Sequence, residues 1–372
     1  MTAPNWIKKI ALFVFLIFLW APLLIAMATP DKEISPAEKR KLNPMPQLNW
    51  DTLPDFPQNF EKYYNDHFGL REELLYAHSS YQFALLNVSS SNRVIVGKDG
   101  WLFQNGHSHV KDMRNLWPFS PGELQRWANV LTAKYQWCKQ QNIAYFFVLT
   151  PSKHLIYPEM LPGGYQPVNK TSRADQLIDY LQKHTEVPVI DMRKALLKEK
   201  KKLRTYHKTD THWNSYGAYV GYRQMMKQIK KELKGLEPVS IKRNDFKMVS
   251  EPAGDLANSL NLQHSLAENS PKPTKWTATC LGNSTLKGVP DDAARNQQWF
   301  TTSCAQKKYR AVMFRDSYSL AMMPYLSETF GYIYYIPHSP VPVVNMKKIV
   351  TEQQPDIVIE QRTTRWLRTP EG

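Results

Sequence analysis

The chain has 372 residues, 42% hydrophobic and 22% charged, enough apolar material for a buried core and too much for an intrinsically disordered protein. Its formal net charge is +15, and its three cysteines exclude a disulfide-dense scaffold and a paired-cysteine zinc module. The cationic balance favours acidic partners such as polysaccharide, lipid headgroups or nucleic acid.

Residues Ile10 to Ala28 carry no charge and follow Lys8 and Lys9. A helix of that length spans about 28 Å, close to a bilayer core, and the lysines keep its start in the cytoplasm. Ala26-Met27-Ala28 also fits the small-x-small pattern of a cleavage site. Residues 1–29 are therefore an anchor or a signal peptide, and either exports the rest, which argues against nucleic acid as the partner. A tethered periplasmic protein is expected, with a soluble periplasmic one as the alternative after cleavage at Ala28. In an oxidising compartment Cys280 and Cys304 are expected to pair, with Cys138 a buried thiol on a helix.

Residues 30–92 read as a proline-rich stalk followed by a helical lead-in over 57–88. Residues 93–372 read as the main domain. It opens with two short apolar runs around Asp99-Gly100, a hairpin signal. Helices are predicted over 122–140, 171–184, 215–233 and 318–329. Strands are predicted over 143–149, 187–191, 309–314, 332–336 and 356–360. Such alternation implies a mostly parallel sheet covered on both faces. Residues 246–308 are polar, hold the cysteine pair and read as an insertion.

Two segments carry chemistry. In Tyr206-His-Lys-Thr-Asp-Thr-His-Trp213, Asp210 and His212 stand two apart, so an extended chain points both the same way. A carboxylate there orients an imidazole and stabilises its cation. The same segment offers His207, Asp210 and His212 as metal ligands, but no second cluster supports a metal, and none is expected. In Phe314-Arg-Asp-Ser-Tyr-Ser319, a buried strand ends in a turn and a helix begins. Ser317 is then a nucleophile at the carboxyl edge of the sheet, with the N–H of Ser317 or Tyr318 as oxyanion donor. Asp210 and Ser317 are also ordinary helix-capping residues in such places. Together the segments supply the serine, base and orienting acid that acyl transfer needs.

At these residues the sequence resembles the alginate O-acetyltransferase family of AlgJ and AlgX type, which is SGNH hydrolase-like. The matching motifs are Val96-Gly-Lys-Asp-Gly-Trp-Leu-Phe103, Thr150-Pro-Ser-Lys153, Tyr157-Pro-Glu-Met-Leu-Pro162, Asp210-Thr-His212-Trp213 and Asp316-Ser317-Tyr-Ser319. Asn65-Asp-His-Phe68 and Arg71 are similar as well. Arg315 departs from the glycine common before Asp-Ser in SGNH enzymes. The resemblance implies a three-layer α/β/α domain in which Ser317 accepts acetyl, His212 is the base and Asp210 orients it. It further implies an acetyl donor that is a membrane-bound O-acyltransferase, a polysaccharide acceptor in the periplasm and no cofactor. Lys153, Tyr157, Arg315 and Arg365 stand at or just past strand ends and are candidates to line the cleft, with a structural or solvated role as the alternative for each. The same triad serves a carbohydrate acetyl esterase, and a decayed site leaves a polysaccharide-binding or assembly protein.

Overall fold

The computed structural model describes residues 4–35, 40–283, 285–286, 299–337 and 341–370. Helix α1, Asn5–Ala28, leaves its apolar side chains exposed and buries only Pro22. Among the described residues it is the one helix long and apolar enough to cross a membrane.

The predicted helical lead-in is two helices, α2 (Phe56–His67) and α3 (Arg71–Tyr81). They are broken at Phe68-Gly69-Leu70, where Leu70 is left-handed (φ 63°). Strands β1 (Val94–Val96) and β2 (Leu102–Gln104) pair antiparallel around Asp99 (φ 52°) and Gly100 (φ 74°), as the Asp-Gly signal requires. Next come α4 (Pro121–Gln140), β3 (Ala144–Thr150), α5 (Arg173–His184), β4 (Val189–Asp191), α6 (Arg193–Glu199) and α7 (Ser215–Glu232). Ser120 with Glu123 and Ser172 with Asp175 form capping boxes that fix where α4 and α5 start.

The described residues of 246–308 include a hairpin, β5 (Phe246–Glu251) with β6 (Glu268–Pro273), and a later strand β7 (Phe300–Ser303). The chain ends with β8 (Arg310–Phe314), β9 (Tyr332–Ile336), α8 (Val343–Gln353) and β10 (Ile357–Thr363). Helix α8 was not anticipated, and β10 runs three residues past its predicted end. Its last four residues, Glu-Gln-Arg-Thr, look like a strand leaving the core, yet all are buried. Cys280 and Cys304 are joined by a disulfide. Cys138 is buried on α4, and that burial pushes its thiol up to about 12.

The central sheet runs β4-β3-β10-β8-β9-β7, with residues 285–286 at the far edge. The first five strands are parallel; β7 is antiparallel, so the segment read as an insertion returns a strand to the main sheet. Alternate residues of each strand feed two cores. Phe146, Val148, Met313 and Ile359 face α7, whereas Phe147, Leu149, Val312 and Val358 face α4 and α5. This is the expected three-layer α/β/α architecture. The alternation also sorts the polar end of β10. Glu360 goes to the α4 face, where its carboxylate accepts from Lys134 (2.9 Å) and Tyr145 (2.7 Å). Gln361 and Thr363 go to the other face, at the carboxyl ends of β3 and β8.

Candidate active site

At that edge the loops after β3, β8 and β10 converge. Ser152 N–H donates to Thr364 Oγ1 (3.0 Å), and Arg365 N–H donates to Ser152 Oγ (3.2 Å), which ties two of them together. The third carries Ser317. Its hydroxyl lies 2.8 Å from His212 Nε2, and His212 Nδ1 lies 2.7 Å from Asp210 Oδ1. All three side chains are half-buried, within reach of solvent.

The 210–212 segment is not extended. Asp210 Oδ1 also accepts the His212 N–H (2.8 Å), the compact turn that Asp forms with the backbone two residues on. Asn214, not Asp210, caps α7, accepting from Gly217 N–H at 2.9 Å. Asp210 is thereby left for the imidazole. Burial works against its ionisation. The hydrogen bonds and charge of His212, with the N–H groups of Asp255 and His212, outweigh that and hold its carboxyl well below the usual range.

Asp255 has no counterpart in the motifs. Its N–H donates to Asp210 Oδ2 (3.0 Å), while its own Oδ1 accepts from Thr211 N–H (2.7 Å) and Thr211 Oγ1 (3.0 Å). The neighbouring Gly254 makes this contact possible, because a Cβ there would sit 2.3 Å from Asp210 Cβ. Gly254→Ala is expected to lift the loop off Asp210. A misplacement of this kind lowers kcat by about 10²-fold with little change in KM, which steady-state kinetics on an acetyl ester will measure.

The serine turn is held from the sheet. The strand after which it lies is followed by a 3₁₀ turn, Ser317–Met322, and only then by the short helix Met323–Ser327. Pro324 fits the first turn of an α-helix and no later one, which places the helix start there. Asp316 Oδ1 accepts from Tyr318 N–H (3.0 Å) and Gln361 Nε2 (2.8 Å), and Oδ2 accepts from Thr363 N–H (2.7 Å). The two motif segments also clasp each other: Trp213 Nε1 donates to Tyr318 O (3.0 Å) and Tyr318 OH to Thr211 O (2.9 Å). The Tyr318 N–H, expected as an oxyanion donor, is occupied by Asp316. The Ser317 N–H has no acceptor among the described residues and remains available.

The four candidates for the cleft lining separate. Lys153 is buried; its ammonium donates to Leu102 O (2.7 Å) and Lys208 O (3.1 Å), and burial lowers it to about 8. It pins the β1–β2 hairpin to the Asp210 segment. Tyr157 is buried against Trp101, with its hydroxyl on Thr205 N–H (2.9 Å). Arg315 is buried over the Phe300 ring (5.0 Å). These three are corrected to framework residues, because strand-end position alone does not reveal which way a side chain turns. Arg365 flanks the site, stacked on Tyr318 at 5.4 Å with its Nη1 on Gln104 Oε1, beside a pocket of about 20 Å³ that Lys153, His109 and His154 also line. His207 bonds Glu268 (2.9 Å) instead of joining His212. Asp210, His212 and Asp255 do come within 4.8 Å of one another, but each already serves the hydrogen bonds described. A polar groove of about 1080 Å³ begins at Thr211 and Asp255 and has Leu75 and His78 of α3 on its opposite wall.

Solved structures share this fold. Bacillus cereus PatB1 matches with a TM-score of 0.52 at 18% identity, covering 74% of this chain and 96% of its own. A DHHW family protein from Eubacterium siraeum matches at 0.51 and 16%, covering 75% and 93%. The O-acetyltransferase domain of Pseudomonas putida AlgJ matches at 0.48 and 18%, covering 75% and 92%. No curated protein matches the sequence significantly. The family described as SGNH hydrolase-like domain, acetyltransferase AlgX, matches residues 94–320, more than half of the chain, from the β1–β2 hairpin through Asp210, His212 and Ser317. The chain belongs to this AlgX-type, SGNH hydrolase-like acetyltransferase family.

Proposed function

We propose that the protein is an exported O-acetyltransferase that carries acetyl on Ser317 and delivers it to hydroxyls of a bacterial exopolysaccharide. The observation that carries the reading is the continuous hydrogen-bonded chain from Ser317 Oγ through His212 to Asp210, at 2.8 and 2.7 Å. His212 Nε2 takes the Ser317 proton as Oγ attacks the acetyl carbonyl. The imidazolium, stabilised by Asp210, returns that proton to the departing donor oxygen and leaves acetyl-serine. An acceptor hydroxyl then gives its proton to His212, attacks the ester and restores Ser317. The Ser317 N–H donates to the oxyanion in both halves, and Arg365, stacked on Tyr318, contacts the acceptor.

A membrane-bound O-acyltransferase as donor and an acidic polymer as acceptor fit an anchored protein whose exported part stays strongly cationic without Lys8 and Lys9. We assign residues 1–29 to a retained anchor, 30–92 to a lead-in and 93–372 to the catalytic domain. Gly69 packs on Pro22 and Ala26 so closely that a side chain there would strike the Pro22 carbonyl at 2.0 Å. The folded lead-in thus has a seat for the outer end of α1, which supports an anchor over a cleaved signal.

The test uses the full-length chain in nanodiscs with an acetyl ester and intact-mass detection. The expected result is a gain of one acetyl group, discharged onto added oligosaccharide faster than acetate is released. Acetate release that acceptors do not alter would make the protein an esterase. Absence of both would leave a polysaccharide-binding or assembly role.

A further inference from the structure

We propose that the corner between α2 and α3, residues Phe68–Leu70, is a wedge seated in the outer leaflet of the bilayer beside α1. The inference rests on the reading of α1 as a retained, membrane-spanning anchor. The corner touches α1 at Pro22 and Ala26, where the Gly69 backbone leaves no room for a side chain. Pro22 lies six residues before the end of the apolar helix and Ala26 two. At about 1.5 Å per residue, the contact sits about 3 to 9 Å below the point where α1 ends. That depth belongs to the lipid interface and the upper acyl chains, not to bulk water.

The corner is built for such a place. Within its turn Arg71 N–H donates to Phe68 O (3.1 Å) and Leu74 N–H to Leu70 O (2.9 Å). Beside it Tyr64 and Leu74 are exposed, together with the carboxylates of Glu72 and Glu73 on the first turn of α3. Leu74 is 45% exposed and Tyr64 41%, and Tyr64 packs edge-on against Phe68 at 5.7 Å. A half-exposed tyrosine whose ring packs on a phenylalanine suits the headgroup level.

Charged groups surround the corner at the end of α1, where Asp66, Arg71, Glu72 and Glu73 line one pocket with Ile25 and Ala26. Tyr63 OH donates to Asp31 (2.9 Å), Lys32 pairs with Glu72 (2.9 Å) and Arg40 pairs with Asp66. Apolar groups lie beside the helix end, and a polar collar lies next to them. The occupant is lipid, because the corner packs on α1 within six residues of that helix's outer end.

The wedge also sets the height of the site. Leu75 and His78, in the wall of the groove that reaches Thr211 and Asp255, stand five and eight residues along from Leu70. That is about 8 and 12 Å of helix. The groove therefore opens near the leaflet, where a donor embedded in the membrane presents its acetyl group.

The experiment places a fluorophore on Tyr64→Cys and Leu74→Cys in the full chain. Lys227→Cys on the exposed side of α7 is the reference. Cys138 is buried and Cys280 and Cys304 are paired, so each label goes to the new thiol. The proteins are reconstituted in phosphatidylcholine–phosphatidylglycerol vesicles with nitroxide at the headgroup, at a shallow acyl position or at a deep one. Shallow nitroxides are expected to quench the Tyr64 and Leu74 labels several-fold more than the Lys227 label. Equal quenching at all three sites overturns the wedge. So does protection of the two labels in native membranes without lipid quenching, which would give the face to a partner protein. Intact mass of the exported chain separates the two layers of the argument. Loss of residues 1–28 removes the anchor itself, whereas an intact but unquenched protein removes only the wedge. None of these readouts depends on acetyl transfer.

Discussion

Ser317→Ala is expected to abolish acetyl uptake and ester turnover altogether, because no other hydroxyl stands at 2.8 Å from His212 Nε2 among the described residues. Asp210→Asn is the more informative variant. It keeps the shape of the turn but presents an amide where His212 Nδ1 needs an acceptor, so the imidazole loses its fixed tautomer. In a serine–histidine–aspartate site that exchange costs roughly 10³–10⁴-fold in kcat. Stopped-flow turnover of a chromogenic acetyl ester reads both. If Asp210→Asn retains more than about a tenth of the parental rate, the orienting role of Asp210 is wrong, since loss of the tautomer alone predicts far more. The same carboxylate has a stability signature. Its folded pKa is depressed, so its contribution is fully present above the ordinary carboxyl value of about 4 and declines as pH falls below it. Asp210→Asn should therefore flatten the acid side of the thermal-stability profile and leave the neutral side parallel to the parent.

The reactive groups were legible because each lies in a short segment with a local signal. Asp210 and His212 share one turn, and Ser317 follows a strand whose apolar run is unbroken from Ala311 to Phe314. The groups that hold them were not. Asp255 sits 45 residues from Asp210 in a polar stretch with no periodicity, and its contribution to Asp210 is a backbone N–H, which no residue type advertises. Gln361 and Thr363 were hidden for another reason. Hydrophobic patterning ends a strand where apolar residues stop, but β10 continues because three of its polar side chains meet partners, Glu360 with Lys134, and Gln361 and Thr363 with Asp316, while Arg362 lies over the Trp127 ring and, among the described residues, bonds only Thr369 O through Nη1. Burial of polar groups is tolerated when they are paired, and pairing across more than forty residues leaves no trace in the local sequence. The break at Phe68-Gly69-Leu70 was missed similarly. An apolar 3.6-residue period persists through it, and only contact with α1 gives Gly69 its reason.

Those hidden partners give the second large effect. Asp316 receives Tyr318 N–H, Gln361 Nε2, Thr363 N–H and Thr363 Oγ1, which makes its carboxylate the joint between the Ser317 turn and β10. Asp316→Ala removes four acceptor contacts at once and strands donors that burial keeps from water. Hydrogen bonds to a charged group are worth about 1.5–3 kcal/mol each, and one unsatisfied buried donor costs about 1–3 kcal/mol. Because these contacts share one group, the losses do not add. A destabilisation of about 3 kcal/mol is expected, with kcat down by at least about 10²-fold as Ser317 leaves the reach of His212. Gln361→Ala removes one contact to the Asp316 carboxylate and one to its N–H, and leaves the carboxylate its contacts from Tyr318 and Thr363, so it should lower kcat less while KM stays near that of the parent. Urea unfolding and steady-state kinetics on both variants decide the matter. If Asp316→Ala unfolds at the parental midpoint but is inactive, Asp316 acts on the reacting groups directly. If both stability and rate fall in the order parent, Gln361→Ala, Asp316→Ala, the strand is what aims the serine.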